Sequence, residues 1–311
     1  MKGKATNNRM RRMSISQPRR SFLQQTAFTA LALSTNLIKA DTPAPFRLKL
    51  SLKYNMVNFG MSLEKSFALL KEMGFDGVEL DSPGGQNKTE ALAASKTTGL
   101  PIHGVVDSIH WQTRLSDPDE AVQQKALDGL LVAIRESHAV GGTSVLLVPG
   151  VADAKTNAEQ VWQRSIPLIR KALPLAEELK IHILIENVWN QFLYDPQGGN
   201  AQDAKLLCDY IDEINSPLVG SYFDIGNHQK FGKPAEWICQ LGKRIIKMDM
   251  KDWGVKNGFC KIGEGDIAWP DVRAAIAEIK FSGWVTAEVK GGNPDACKDI
   301  VARMRKYLLD Q

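Results

Sequence analysis

Four apolar runs in the second half of the chain each close on an acidic residue: IHILIEN at Glu186, LVGSYFDIGN at Asp224, RIIKMDMKDW at Asp249 and GWVTAEVKGG at Glu288. Each run holds mostly β-branched or aliphatic residues followed by turn formers, the pattern of a buried strand emerging into a loop. The acids lie 38, 25 and 39 residues apart, room in each gap for a helix, a further strand and two loops. They therefore recur at equivalent points of successive βα units, and carboxylates repeated at strand ends converge on one place. Converging like charges need a counter-charge, and a divalent cation bound by oxygens supplies one. Taken alone, a strand-end carboxylate such as Asp224 is more often a helix N-cap or a surface charge. Four of them in the same structural position are harder to explain that way.

The same alternation runs through the rest of the chain. Strands are predicted over 47–52, 78–80, 100–106, 143–148, 181–186, 218–223, 244–249 and 284–289, and helices over 62–73, 89–98, 119–140, 158–179, 201–214, 234–241, 269–279 and 294–309. Ser62 reads as an N-cap, and Gly74 and Gly99 as helix stops. Pro167 and Pro174 predict bends in the fourth helix. No two-residue hairpin turn joins any strand pair, so the strands are expected to be parallel with helical crossovers. Eight such units predict an α/β fold, a (β/α)8 TIM barrel, with an open doubly wound sheet as the alternative. The acids would then sit on the face made by the strand C-termini. Asp249 and Asp252 compete for one role there; alternation from Ile245 places Lys247 and Asp249 on one face and leaves Asp252 in the loop.

Residues 1–40 carry eight Lys or Arg and no acid, and Arg19-Arg20-Ser21-Phe22-Leu23 precedes an apolar run, 27–38, too short to span a bilayer. This segment reads as a signal peptide of the twin-arginine type, which predicts an exported, periplasmic protein. Residues 41–46 read as a Pro-rich linker and 47–311 as one catalytic domain. Without the first 40 residues, 31 basic side chains face 35 acidic ones, so the mature charge gives no support to a nucleic-acid partner. No later apolar run is long enough to span a membrane. Cys208, Cys239, Cys260 and Cys297 are widely spaced, which suggests neither a zinc knuckle nor a redox pair.

The segments Glu186-Asn187-Val188-Trp189-Asn190, Phe223-Asp224-Ile225-Gly226-Asn227, Met250-Lys251-Asp252-Trp253, Gly263-Glu264-Gly265-Asp266 and Trp284-Val285-Thr286-Ala287-Glu288 together resemble the xylose-isomerase-like barrel superfamily of sugar (phosphate) isomerases and epimerases. The resemblance covers the whole mature chain. It implies a divalent metal held by a Glu, an Asp, a His and a Glu, which here would be Glu186, Asp224, Asp249 and Glu288. Asp249 departs from the pattern, since the family usually has His there, and Asn227 stands where some epimerases have a substrate-binding His. Four oxygen ligands favour Mg²⁺ or Mn²⁺, with Co²⁺ or Zn²⁺ as alternatives. Excess negative charge would call for protonation of one acid or compensation by Lys247 or Lys251.

The chemistry such a site implies is proton transfer next to a carbonyl through an enediolate. In the epimerases this chain resembles, the two ligand glutamates do this work, so Glu186 and Glu288 are the expected catalytic pair. His103, His110, Trp111, Trp189, Asn227, His228, Lys251 and Trp253 are expected to bind the substrate, because sugars pack C–H faces on aromatic rings while polar groups fix hydroxyls. His138 and His182 read as structural. The expected partner is a small-molecule carbohydrate, with room for a homo-oligomer. The alternatives are a metal-assisted lyase or hydrolase on oxidised (keto) glycosides, and a metal-poor sugar-binding barrel without turnover.

Overall fold

The computed structural model describes residues 47–311; the expected signal peptide and linker lie outside them. Eight strands alternate with helices: β1 Leu48–Lys53, β2 Gly77–Ser82, β3 Ile102–Asp107, β4 Ser144–Leu147, β5 His182–Glu186, β6 Val219–Asp224, β7 Ile245–Met250 and, after a short hairpin, β10 Gly283–Ala287. All neighbours pair in parallel and the sheet closes in the order β1-β10-β7-β6-β5-β4-β3-β2, a (β/α)8 barrel. The helices are α1 Leu63–Met73, α2 Lys88–Thr98, α3 Glu120–Ala139, α4 Ala158–Leu179, α5 Lys205–Ile214, α6 Pro234–Leu241, α7 Trp269–Glu278 and α8 Pro294–Met304. Their ends follow local chemistry. The Ser62 hydroxyl accepts the Lys65 N–H at the start of α1, and Gly74 ends it at φ 100°, a left-handed conformation that glycine adopts without Cβ strain. Helix α4 continues through both Pro167 and Pro174.

Strand alternation splits the core in two. Outward residues such as Leu50, Leu52, Val145 and Ile183 pack under the helices, whereas Leu146, Leu184 and Tyr222 form a small separate cluster within the barrel. Beside that cluster runs a buried polar chain. Lys247 Nζ meets His103 Nδ1 at 2.9 Å, His103 Nε2 lies 3.3 Å from Thr286 Oγ1, and the Tyr222 hydroxyl lies 2.7 Å from Thr286 Oγ1 and donates to Glu79 Oε2 at 3.1 Å. Linked this way, most of these buried groups avoid the cost of lost hydration.

Two features differ from expectation. The loop after β7 contains an antiparallel hairpin, β8 Asp252–Gly254 and β9 Gly258–Cys260, whose three-residue strands are too short to show a periodic pattern. The terminal helix passes at Met304 into a π-helical turn, Arg305–Leu309. Among the described residues no helix is long and apolar enough to cross a membrane, and all four cysteines are free.

Candidate active site

Glu186 ends β5, Asp224 ends β6, Asp249 lies one residue before the end of β7, and Glu288 follows β10 directly. The barrel brings these four together: one carboxylate oxygen from each lies within 4.8 Å of the others. Leu184 and Glu186, Tyr222 and Asp224, and Lys247 and Asp249 share strand parity, so the acids crown the barrel interior. Asp252 does not join them. It is fully buried in β8, where its Oδ2 accepts the Gly263 N–H at 2.6 Å and the Trp269 Nε1–H at 3.2 Å, and so anchors the hairpin and the segment after it.

Two lysines face the cluster. Lys53, at the end of β1 and only 4% exposed, places Nζ 2.8 Å from Asp249 Oδ2 and 2.6 Å from Glu288 Oε2. Lys251 Nζ lies 3.2 Å from Asp224 Oδ2 and 3.3 Å from Glu288 Oε2, and donates to Asn227 Oδ1 at 3.2 Å. Lys251 thus compensates as expected, while Lys247 is taken up by His103 below. Lys53 was not anticipated. Its signal lay in LKLSLK, where Lys49, Ser51 and Lys53 alternate with three leucines, a pattern a solvent-facing strand would share.

Backbone and amide groups fix the acids. Asp224 Oδ1 accepts the N–H groups of Gly226 and Asn227 at 2.8 and 2.7 Å, leaving Oδ2 toward the cluster. Asn187 bonds both the N–H and the C=O of Asp224, locking β5 to β6, and Asn227 Nδ2 donates to Glu186 Oε1 at 3.3 Å.

The two glutamates stand in unlike fields. Burial pushes Glu186 up to about 8, opposed by Lys53 and reinforced by Glu288. Burial also works against the charge of Glu288, but Lys53 and Lys251 together overcome it and hold its carboxyl down to about 2. Burial raises Asp249 well above the usual carboxylate range and raises Asp224 too, with Lys53 and Lys251 respectively opposing. For Lys53, the loss of hydration is outweighed by Asp249 and Glu288, which keep it charged.

The donor set suits a divalent cation. Asp249 Oδ1 is buried with neither a hydrogen-bond nor an ion-pair partner among the described residues. The four acids outnumber the two ammoniums that face them, so a divalent ion would supply counter-charge as they ionise. All four donors are hard oxygens, the ligand class of Mg²⁺ and Mn²⁺.

A cavity of about 1000 Å³ opens over Glu186 and Glu288 and is lined also by Trp111, Trp189, Asn227 and Lys251. Trp253 backs this lining through Trp189, ring centroids 6.2 Å apart. None of the three expected substrate histidines lines this cavity. His103 is the second residue of β3, near the strand's N-terminal end, stacked on Trp284 at 4.5 Å and bonded to Lys247, so it belongs to the barrel floor. His110 is buried and accepts the Val148 N–H on Nδ1 at 3.1 Å, tying the loop after β3 to β4. His228 packs among Tyr194, Phe231 and Trp237, as alternation past Asn227 dictates. Burial pushes the pKa of each histidine down, to about 3 for His110 and His228, which suits neutral structural rings.

The profile of the family described as Xylose isomerase-like TIM barrel matches residues 67–307. Among curated proteins, an uncharacterized protein of Methanocaldococcus jannaschii is 26% identical over 181 residues, which cover 55% of this chain and 59% of that relative. SgbU of Escherichia coli (strain K12), provisionally named an L-ribulose-5-phosphate 3-epimerase, is 23% identical over 243 residues, covering 72% of this chain and 82% of SgbU. Among solved structures, the apo form of the 3-keto-D-glucoside 4-epimerase YcjR of E. coli superposes with a TM-score of 0.69 at 17% identity, covering 84% of this chain and all of YcjR.

Proposed function

We propose that this chain, which belongs to the Xylose isomerase-like TIM barrel family, is a sugar epimerase or isomerase that moves a proton next to a carbonyl. The observation that carries this reading is the pair Glu186 and Glu288, brought together over one cavity in opposite electrostatic settings. Strands β5 and β10 are three steps apart around a barrel of eight, so the two carboxyls approach a bound sugar from different sides. Pairs of acids whose environments set their pKa values apart are the usual acid–base partners. The name of YcjR, a 3-keto-D-glucoside 4-epimerase, and the provisional name of SgbU, an L-ribulose-5-phosphate 3-epimerase, support the same class.

Glu288, kept ionised by Lys53 and Lys251, takes the proton from the carbon beside the carbonyl. The electron pair left on that carbon moves into the carbonyl oxygen, giving an enediolate whose charge the Lys251 ammonium can face. Glu186, which burial keeps protonated, returns a proton to the carbon from its own side; Asn227 orients that carboxyl through its Nδ2 hydrogen bond. Trp111 and Trp189 wall the cavity beside the two glutamates. A divalent cation held by Glu186, Asp224, Asp249 and Glu288 would polarise the carbonyl and lower the pKa of the neighbouring C–H.

Incubation of the protein with a ketose or 3-keto-glucoside in D₂O, with Mg²⁺ or Mn²⁺ supplied, is expected to place deuterium on the carbon beside the carbonyl. A panel of such sugars that bind yet neither exchange nor convert would sink the enzymatic reading. Release of a leaving group along with exchange would move the reaction to the lyase class.

The ligand set has its own test. Asp249→His replaces a hard carboxylate by imidazole and is expected to shift metal preference toward Co²⁺ or Zn²⁺ in competition titrations. An unchanged order of preference would remove Asp249 from the ligand set.

A further inference from the structure

We propose that the cavity takes a two-ring glycoside, with the hairpin β8–β9 and Trp189 forming an aromatic platform for the second, non-reacting ring. This rests on the epimerase reading for the position of the first ring, above Glu186 and Glu288. The cavity has room for more than one sugar ring: about 1000 Å³ is at the top of the range for pockets that enclose drug-sized ligands. Its lining includes Glu186 and Glu288, the aromatic rings of Trp189 and Phe259, and Arg303.

The platform is built. Phe259 in β9 is 50% exposed and Trp189 38%, unusual for large aromatics, and both line the cavity. Their ring centroids lie 4.9 Å apart with planes inclined at 42°, and Trp253 in β8 supports Trp189 from the side. The Trp189 indole N–H donates to the backbone oxygen of Asn227, the residue whose side chain bonds Glu186, so the platform is tied directly to the acid cluster. Fixed aromatic faces beside a polar reaction centre match the C–H face of a sugar ring whose neighbour is being turned over.

The cations that line the cavity argue for an uncharged ring. Arg303 bonds Asp299 at 3.0 Å and Glu264 at 2.8 Å, and Lys261 bonds Asp299 at 2.9 Å. Of the four basic side chains lining the cavity, only Lys290 lacks a carboxylate partner among the described residues. Cations already neutralised by carboxylates offer little to a phosphate, which is best held by several free donors.

Calorimetric titration separates the possibilities. Wild-type protein is expected to bind a 3-keto-glucoside bearing a second glucose ring about tenfold tighter than 3-keto-glucose, the gain from one stacked ring. Phe259→Ala, at a half-exposed position outside the buried core, should erase most of that ratio. Equal affinity for the one-ring and two-ring ligands, or a ratio unchanged in Phe259→Ala, would overturn the platform even if the epimerase reaction is found. Tighter binding of a phosphorylated ketose than of the two-ring ligand would overturn the uncharged assignment. A two-ring preference without any deuterium exchange would keep the platform and remove the epimerase reading.

Discussion

Glu288→Gln is expected to lower kcat by about 10²–10⁴, the usual contribution of general acid–base catalysis, while the barrel stays folded. The substitution keeps the shape of the side chain and one oxygen for Lys53 or Lys251. Each lysine also retains a second partner, Asp249 for Lys53 and Asp224 for Lys251, so the ion-pair frame survives. What disappears is the one carboxylate of the pair that two ammoniums hold ionised. Deuterium wash-in on a keto-sugar should fall in parallel with kcat, because both pass through removal of the same proton. Thermal unfolding of the variant serves as the control for folding. Exchange at near wild-type rate in a folded Glu288→Gln protein would assign the base elsewhere.

Lys53→Met should have the largest effect on stability. Removing one partner of a buried ion pair typically costs about 3–5 kcal/mol, because the remaining charge stays desolvated without compensation. Here two carboxylates, Asp249 and Glu288, lose the ammonium at once. A divalent cation held by the four acids would engage the same carboxylates, so Mn²⁺ or Mg²⁺ is expected to restore much of the loss and to raise the Tm of Lys53→Met more than that of the wild type. The measurement is denaturant and thermal unfolding of both proteins with and without metal. If the variant unfolds like the wild type and responds to metal no more strongly, Lys53 is not the counter-charge of the cluster. This lysine also gives a physical reason for Asp249. A carboxylate where the resemblance leads one to expect an imidazole needs a counter-charge when ionised, and the ammonium 2.8 Å away supplies it.

Much of this was legible before folding. The 25-to-39-residue spacing of Glu186, Asp224, Asp249 and Glu288 reflects chain geometry: a strand, a crossover helix and two turns need about that length, so strand-end residues repeat with it. Asp249 rather than Asp252 followed from two-residue alternation along β7. The misreadings also have definite causes. The sequence places His103 on the active face, but it is second in β3, and which end of a strand a residue occupies depends on a boundary that the apolar run LPIHGVV does not mark. His110 and Trp111 are adjacent in one loop, yet one ring is buried against Val148 and the other is 40% exposed in the cavity wall, a choice made by packing alone.

The sequence by itself determined the fold, the four converging acids and their chemical class, because these depend on periodicity and on residue type at strand ends, both local properties of the chain. Only the tertiary structure decided which charges meet those acids and what surrounds the space above them. Lys53 lies 235 residues before Glu288 in the chain and touches it because β1 closes the barrel against β10. The Trp189–Phe259 platform likewise joins the loop after β5 to a hairpin after β7. Such contacts are set by ring closure and side-chain packing, which bring distant segments together without leaving a period or motif in either one.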